Sequence, residues 1–227
     1  MGVGEGYMNG EIDVTGDLAE LGRLGDANRR ELDTYLPYLA RKKRKRSTTK
    51  RGNFTDVQHH YDLGNDFYRL WLDRSMTYSC AYFRKANDSL ETAQRQKVDH
   101  ILKKLYMKRG MTLLDIGSGW GELIIRAAKK YGVKAHGITL SKEQYAATKE
   151  RIKREKLTGR VTVELQHYED AKGRESYDRV VSVGMYEHVG QDNHAKYMAA
   201  VDRLLKPGGV SMLHTITEFR RREGMSP

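Results

Sequence analysis

Cysteine is nearly absent from this chain, which contains only Cys80 among its 227 residues. A single cysteine excludes an internal disulfide and is typical of a protein in a reducing compartment. Long apolar runs are also missing, because no segment approaches the roughly 20 residues that a membrane-spanning helix needs. Residues 1–10 have neither a cationic start nor an apolar stretch, and Gly6 stands where a myristoylation motif has Ser or Thr. We therefore expect a cytoplasmic protein without a secretory signal.

Positive charge is in excess and unevenly distributed, with 41 Lys and Arg against 30 Asp and Glu and a net charge of +11. An unbroken basic block, RKKRKR, occupies positions 41–46 and is extended by Lys50 and Arg51. Such a block can bind anionic lipid headgroups, bind nucleic acid, or serve only as a solvated linker. Positions 41–52 contain no aromatic residue to stack on bases, which disfavours nucleic acid. The segment from Arg41 to Arg51 is thus a candidate contact for anionic lipids, with a linker as the alternative.

The length and composition predict one substantial domain with an appendage, since 38% of residues are hydrophobic and the mean hydropathy is −0.74. We predict that residues 1–52 form the appendage, with helical pieces at 17–24 and 28–39 followed by the basic linker. Residues 53–227 form the main domain. Its first part is rich in aromatic side chains, and we expect most of them in the core, where aromatic stripes are usually found. They are Tyr61, Phe67, Tyr68, Trp71, Tyr78, Tyr82 and Phe83.

Strands and helices are predicted to alternate after a helix that Asp88 or Ser89 caps and that ends at 108–110. This alternation predicts an α/β fold, a Rossmann-like doubly wound parallel sheet with helices on both faces and ligands at the carboxyl ends of its strands. A turn at 206–209 separates the last helix from the last strand. The predicted strands are 112–116, 134–140, 161–166, 177–184 and 209–217, and the helices are 122–131, 142–157 and 193–205.

A glycine turn joins the first strand to the next helix, with the pattern Asp115-x-Gly117-x-Gly119-x-Gly121. Glycine lets a backbone and a ligand approach closely, so this turn is typical of nucleotide-binding elements, although a turn without a ligand is the alternative. The pyrophosphate fingerprint needs glycine at position 122, where Glu122 stands. The pattern resembles the first motif of methyltransferases that use S-adenosylmethionine, a ligand with an amino acid where dinucleotides carry phosphates.

Polar residues follow the other predicted strands. Ser141 and Gln144 after the second strand also form a helix capping box, so they have a structural reason to be there. His167 to Asp170 follow the third strand, Glu187 and His188 the fourth, and His214 lies near the end of the fifth. Together with Cys80, such groups suit proton transfer or the binding of an anion.

Two other chemistries are disfavoured. The histidines lack a close ligand spacing such as His-x3-His, so we predict no metal site. A cysteine–histidine nucleophile is disfavoured because the neighbours of Cys80 are apolar and would not stabilise a thiolate.

Six segments resemble the cyclopropane-fatty-acyl-phospholipid synthases and the related mycolic acid cyclopropane synthases. The resemblance covers about positions 53–217, and residues 4–10 are similar to the end of an accessory domain in longer bacterial members. The motifs at 78–83 and 139–144 are specific to this group, whereas the glycine motif is shared by methyltransferases at large. The segments are HYDLGNDFY (60–68), MTYSCAYF (76–83), LDIGSGWG (114–121), GITLSKEQ (137–144), EHVG (187–190) and LHTI (213–216).

The resemblance implies transfer of a methyl(ene) group from S-adenosylmethionine to the cis double bond of an unsaturated phospholipid acyl chain, which forms a cyclopropane ring. This would take place at the inner face of a membrane. Cys80, Glu187 and His214 match catalytic positions that hold a bicarbonate ion. The glycine motif contributes Asp115, Gly117, Gly119 and Gly121 to the cofactor site. The other implied cofactor-binding residues are Tyr78, Ser79, Thr139, Gln144, Tyr168 and Glu169.

The sequence departs from the family at two places. Ser118 replaces a common cysteine, and the pattern ends after Thr217, where family members continue with further helices and two more strands. The resemblance therefore implies a C-terminally shortened domain whose fifth strand is an exposed edge. Three alternatives stay open: methyl-branched acyl chains as the product, a small amine as the acceptor, and a non-catalytic binder of cofactor or membrane. An amine acceptor needs no bicarbonate, so the three matched catalytic positions favour a lipid.

Overall fold

The computed structural model describes residues 3–28 and 64–217. The chain divides into two compact units, Met1–Lys45 and Arg46–Pro227. In the first unit, α1 spans Val3–Met8 and α2 spans Leu18–Ala27, so the helix predicted at 17–24 is present and α1 was not predicted. The predictions for the helix at 28–39 beyond Asn28, the basic block and the boundary at 52 lie outside the described residues. No helix within the described ranges is long and apolar enough to cross a membrane.

The described part of the second unit alternates strands with helices, as predicted. Short 3-10 helices at Tyr168–Asp170, Tyr186–His188 and Gln191–Asn193 follow β3 and β4. The longer elements are α3 (Gly64–Arg69), α4 (Leu90–Lys104), β1 (Thr112–Ile116), α5 (Glu122–Tyr131), β2 (Lys134–Thr139), α6 (Lys142–Arg154), β3 (Val161–Leu165), β4 (Tyr177–Val183), α7 (His194–Leu204) and β5 (Leu205–His214).

The five strands form one parallel sheet in the order β3-β2-β1-β4-β5. The chain winds outward from β1 to β3 and then returns to the other side of β1 to continue with β4. At such a reversal, the connections after β1 and β4 leave in opposite directions and open a crevice at the carboxyl ends of the strands. The doubly wound sheet is thus confirmed, and the crevice lies beyond Ile116 and Val183.

The core lies on both faces of this sheet because successive strand residues point to opposite sides. Leu113 of β1 packs in a buried cluster with residues of α4, α5 and α6. Its neighbour Leu114 packs in a second cluster on the other face, with residues of α7. Val181 and Val180 of β4 divide between the same two clusters, so helices cover both faces of β1 and β4.

Two helix starts and one helix end show how local sequence fixes the elements. The side chain of Ser89 caps α4 by accepting a hydrogen bond from the Thr92 N–H at 3.2 Å. Ser141 caps α6 in the same way, which confirms one half of the predicted capping box, whereas the Ser141 N–H donates to the Thr139 hydroxyl and not to Gln144. The predicted end of α4 at 108–110 was wrong, because the helix stops at Lys104 and Tyr106 adopts a left-handed φ of 48°.

The start of β5 also differs from the prediction. The strand begins at Leu205 rather than at Gly209, immediately after α7. From Tyr177 to Arg179, β4 advances by two residues, while its partner β5 advances by five, from Leu205 to Val210. The predicted turn is therefore a bulge inside the strand, and Gly208 supplies the left-handed conformation it needs, with a φ of 71°.

Candidate active site

Two adjoining clefts open along the carboxyl ends of the strands. The first cleft has an empty volume of about 1080 Å³ and lies against the turns after β1, β2 and β3. The second cleft, of about 1190 Å³, lies beside it toward the ends of β4 and β5. Both are lined by Thr77, Tyr78 and Ser79, and also by Gly184 and His188. The segment 77–79 is thus a shared wall between the two clefts.

The first cleft collects most of the residues for which the sequence predicts cofactor binding. Two predicted residues, Gly121 and Glu169, are not among those that line it. Gly121 is the N-cap residue of α5, and Glu169 accepts a long hydrogen bond of 3.5 Å from the hydroxyl of Tyr168. The predicted residues that do line the cleft are Tyr78, Ser79, Asp115, Gly117, Gly119, Thr139, Gln144 and Tyr168.

The three glycines of the turn have different reasons to be glycine, although all have a positive φ. A Cβ on Gly117 would lie 2.7 Å from Cγ of Met185, and one on Gly121 would lie 2.5 Å from Cγ2 of Thr148. Neighbouring side chains leave no room for a Cβ at these two positions. A Cβ on Gly119 would have no atom within 4 Å. Gly119 therefore offers the bare backbone that a ligand in the first cleft can approach.

Thr139 and Gln144 form a fixed polar pair at the end of β2, and both are buried. The hydroxyl of Thr139 donates to Oε1 of Gln144 at 2.7 Å and accepts from the Ser141 N–H at 3.2 Å. Because the carbonyl oxygen of Gln144 is engaged, its amide nitrogen is the group available to donate to a ligand.

Lys97 is a charged residue of the first cleft that the sequence interpretation missed. It is only 6% exposed, and its Nζ donates to Oγ of Ser79 at 2.5 Å. Burial lowers the pKa of Lys97 to about 8, although nearby acidic groups, Asp115 foremost, oppose the shift. Position 97 is four residues from both Ala93 and Ile101, which belong to the buried stripe of α4. A lysine inside an apolar helix stripe was the available signal, since lysine is rarely buried without a partner.

Asp115 lies at the bottom of the first cleft, at the end of β1, and is 3% exposed. Burial raises the pKa of its carboxyl to about 7, although the charge of Lys97 opposes the shift. Its Oδ1 is buried and has no hydrogen-bond partner among the described residues. A buried acceptor without a partner indicates a place where a bound donor is expected.

The second cleft brings together the three predicted catalytic residues, Cys80, Glu187 and His214. Oε1 of Glu187 accepts from the backbone N–H of Ile216 at 2.6 Å. Burial raises the pKa of Glu187, but hydrogen bonds, that of Ile216 first among them, outweigh it and leave the pKa below its usual value. Oε2 of Glu187 and Nδ1 of His214 are buried and have no partner within the described part of the chain.

The surroundings of the aromatic residues differ from the prediction. Cys80 is exposed and lines the second cleft together with the apolar side chains of Leu72 and Phe83. Tyr68 is buried, with its ring 5.2 Å from that of Trp120. The expectation that most aromatics form the core was wrong for the described residues, because several line or surround the second cleft instead, and Tyr61 lies outside the description. The exposed ones are Phe67, Trp71, Tyr78, Tyr82 and Phe83.

The remaining sequence candidates are histidines. His188 lines both clefts, and His167 lines the first. Among residues 3–28 and 64–217, no group of three or more His, Cys, Asp or Glu side chains could hold a metal ion. The absence of a metal site in the whole chain stays a prediction.

The sheet order and the glycine turn define the Rossmann-like methyltransferase fold, and solved structures agree. The cyclopropane synthase MmaA2 from Mycobacterium tuberculosis superposes with a TM-score of 0.68 and 46% identity, over 71% of this chain and 56% of that one. Mycolic acid cyclopropane synthase CmaA1 complexed with SAH and CTAB also gives a TM-score of 0.68, with 42% identity, over 70% and 55% of the two chains.

The family model for mycolic acid cyclopropane synthetase matches residues 48–226, and the chain therefore belongs to this family. The cyclopropane-fatty-acyl-phospholipid synthase of Escherichia coli is 41% identical over an aligned length of 223 residues, and the match covers 95% of this chain and 56% of the relative. A probable fatty acid methyltransferase of Pseudomonas putida is 41% identical over 215 residues, 95% of this chain and 54% of the relative. The chain thus spans little more than half the length of these relatives.

Proposed function

We propose that the protein binds S-adenosylmethionine in the first cleft and transfers its methyl group to the cis double bond of an unsaturated phospholipid acyl chain in the second, forming a cyclopropane ring. The observation that carries the proposal is the shared wall of 77–79, which separates a glycine-turn cleft from a cleft containing Glu187 and His214. The family membership and the names of the relatives support the same chemistry.

The residues of the first cleft fit the proposed donor. S-adenosylmethionine supplies an electrophilic methyl group on a positively charged sulfur. The open backbone at Gly119 and the unpartnered Oδ1 of Asp115 would hold it, together with the amide nitrogen of Gln144. The aromatic ring of Tyr78 belongs to both clefts and can stabilise a positive charge passing between them.

The walls of the second cleft suit an acyl chain. Trp71 is 44% exposed and Phe83 is 51% exposed, and both line this cleft. A cis double bond is a weak nucleophile, so the cleft must hold it in line with the donor. Methylation leaves a positive charge on the acyl chain. Aromatic faces stabilise this charge and exclude the water that would react with it.

The proposal includes a bicarbonate ion, which would supply the base that accepts a proton from the transferred methyl group. The residues present fit such an ion. Oε2 of Glu187 can accept from its hydroxyl group, and Nδ1 of His214 is a second buried atom that needs a partner. The lowered pKa of Glu187 keeps this residue ionised, so it acts as a hydrogen-bond acceptor that orients the ion.

The test is calorimetry with S-adenosylmethionine, followed by incubation of the protein and donor with vesicles of unsaturated phospholipid. We expect saturable binding and lipids that gain one CH₂ unit, with the ring methylene protons visible by NMR. Binding without any change in lipid mass would favour the non-catalytic reading. A methyl branch in place of the ring would favour the second candidate, acyl-chain methylation, which the Pseudomonas putida relative supports by its name.

The proposal also assigns the substrate to the inner face of a membrane, reached through the segment from Arg41 to Arg51, which lies outside the described residues. Its support is the density of positive charge there. Binding to anionic vesicles should weaken steeply as salt is added, because screening shortens the reach of these charges. Binding that is insensitive to salt would exclude this contact.

A further inference from the structure

One face of α4 holds the shared wall of the two clefts. Nε2 of Gln94 donates to the carbonyl oxygens of Thr77 and Ser79, at 3.1 and 2.8 Å. One helical turn further on, Nζ of Lys97 donates to the hydroxyl of Ser79. These two side chains therefore fix the positions of the Ser79 carbonyl oxygen and hydroxyl between the clefts.

Four acidic groups act electrostatically on Lys97, namely Asp115, Asp73, Cys80 and Glu122. Two of these carboxylates are already engaged. Glu122 forms an ion pair with Arg151, and Asp73 accepts the backbone N–H groups of Ser75 and Thr77, both at 3.0 Å. Asp115 instead keeps an unpartnered oxygen, and Lys97 is the positive charge that favours its ionised form.

The proposed donor ends in an amino acid, which carries an ammonium and a carboxylate group at neutral pH. An ionised Asp115 suits the ammonium group, and the Ser79 hydroxyl beside the Lys97 charge suits the carboxylate. We propose that Lys97 is a positioning residue for the amino-acid end of the donor, because it fixes the Ser79 hydroxyl and places a positive charge near the unpartnered oxygen of Asp115. This inference rests on the proposed function.

Donor binding should depend on pH. A carboxylate binds an ammonium group only above its own pKa, and the pKa of Asp115 is about 7 with Lys97 in place. Donor affinity should therefore fall as the pH drops through this value. At the other end of the range, Lys97 loses its own charge above its pKa of about 8, and affinity should weaken there too. Removing the lysine charge raises the pKa of Asp115 further, so the fall in affinity should begin at a higher pH.

The experiment is calorimetry with S-adenosylhomocysteine, which keeps the amino-acid end, on the wild type and on Lys97→Met between about pH 6 and about pH 9. We expect Lys97→Met to bind S-adenosylhomocysteine at least about tenfold more weakly than the wild type near neutral pH. The pH below which its affinity falls should be about one unit higher than for the wild type. Lys104→Met is the matched control, since this exposed lysine is on the same helix outside the clefts. It should bind as the wild type does.

Two results separate this inference from the proposed function. If the wild type binds but Lys97→Met shows the same affinity and pH profile, the inference is wrong and the proposed function stands. If the wild type does not bind at any pH, the proposed function fails.

Should Lys97→Met unfold because Asp115 is left unpaired, the double variant Lys97→Met/Asp115→Asn removes both charges. It should fold, bind weakly and lose the pH dependence over this range, and wild-type binding by it would overturn the inference.

Discussion

The first and second clefts share a wall but are built differently. The first includes the turns that directly follow β1 and β2, and its Thr139–Gln144 pair is already hydrogen-bonded. The second joins residues from three distant segments, represented by Cys80, Glu187 and His214, and leaves buried polar atoms without partners in the described chain. The comparison indicates that local sequence fixes part of the first cleft, whereas the second is assembled from distant segments. Both clefts leave a buried polar atom for a ligand to satisfy, since Oδ1 of Asp115 in the first also has no partner among the described residues.

The largest expected effect separates chemistry from donor binding. Glu187→Gln keeps the size of the side chain but removes the negative charge that orients the proposed ion. Formation of cyclopropane lipid should fall by about 100-fold or more, as for loss of a general base system. The affinity for S-adenosylhomocysteine should not change, because Glu187 does not line the first cleft. Asp192→Asn, an exposed residue nearby, is the control. Unchanged product formation by Glu187→Gln would refute its role.

The next effect tests whether the first cleft depends on packing behind its turn. Gly121→Ala places a Cβ 2.5 Å from Thr148 at a φ of 83°. Left-handed strain and overpacking together should lower the free energy of unfolding by about 3 kcal/mol, measured by urea denaturation. Gly110→Ala has a φ of 85° with no atom within 4 Å, and it should cost only the strain, about 1 kcal/mol. Equal losses in the two variants would contradict this account of the turn.

A smaller effect is expected at Gly119, where the account predicts lost binding with little lost stability. Gly119→Ala puts a methyl group into open space at the cleft. It should reduce affinity for S-adenosylhomocysteine by about tenfold, since one displaced contact is worth about 1.4 kcal/mol. Urea denaturation should show a loss of only about 1 kcal/mol. Wild-type affinity in this variant would mean that the donor does not approach Gly119.

The smallest effect concerns the opposite edge of the sheet and should affect neither cleft. Burial raises the pKa of Asp178, but hydrogen bonds from Thr112 and Lys206 outweigh it and lower the pKa to about 2. Because the folded pKa is below the unfolded one, this stability is present above about pH 4 and is lost as the pH falls toward 2. Asp178→Asn should remove about 1 kcal/mol at neutral pH, after allowance for solvent screening.

Acid titration of unfolding checks this prediction. The stability of Asp178→Asn should change less than that of the wild type between about pH 4 and about pH 2. Asp202→Asn, an exposed residue of α7, serves as the control and should follow the wild type. An acid response of Asp178→Asn identical to that of the wild type would show that this carboxylate carries no such stability.

The sequence predicted best what local signals determine. The bounds of β1 and α5 agree with prediction because a short apolar run meets a glycine turn, and Gly121 and Gly132 flank the helix. The bulge in β5 could not be predicted, since it exists only in the pairing with β4. The meeting of the strand ends was predictable, because alternating strands and helices imply a parallel sheet whose carboxyl ends lie at one edge. The exposure of Trp71 and Phe83 was not predictable, because it depends on which elements cover them in the folded structure.

The candidate site divides in the same way. The strand-end pattern singled out Glu187 and His214, and the resemblance supplied their proposed role. The structure adds that each has a buried atom without a partner within the described ranges. Lys97 was missed because the helix stripe was interpreted through its apolar members alone. A buried charge is recognised from its surroundings, and these come from Ser79 and Asp115, which are distant in sequence.

The most direct measurement is a crystal structure of the protein grown with S-adenosylhomocysteine in bicarbonate buffer. The account predicts the nucleoside compound across Gly119 in the first cleft, with its ammonium group at Asp115, and a small anion between Glu187 and His214. Density for the compound elsewhere, or direct contact between Glu187 and His214 without an anion, would contradict it.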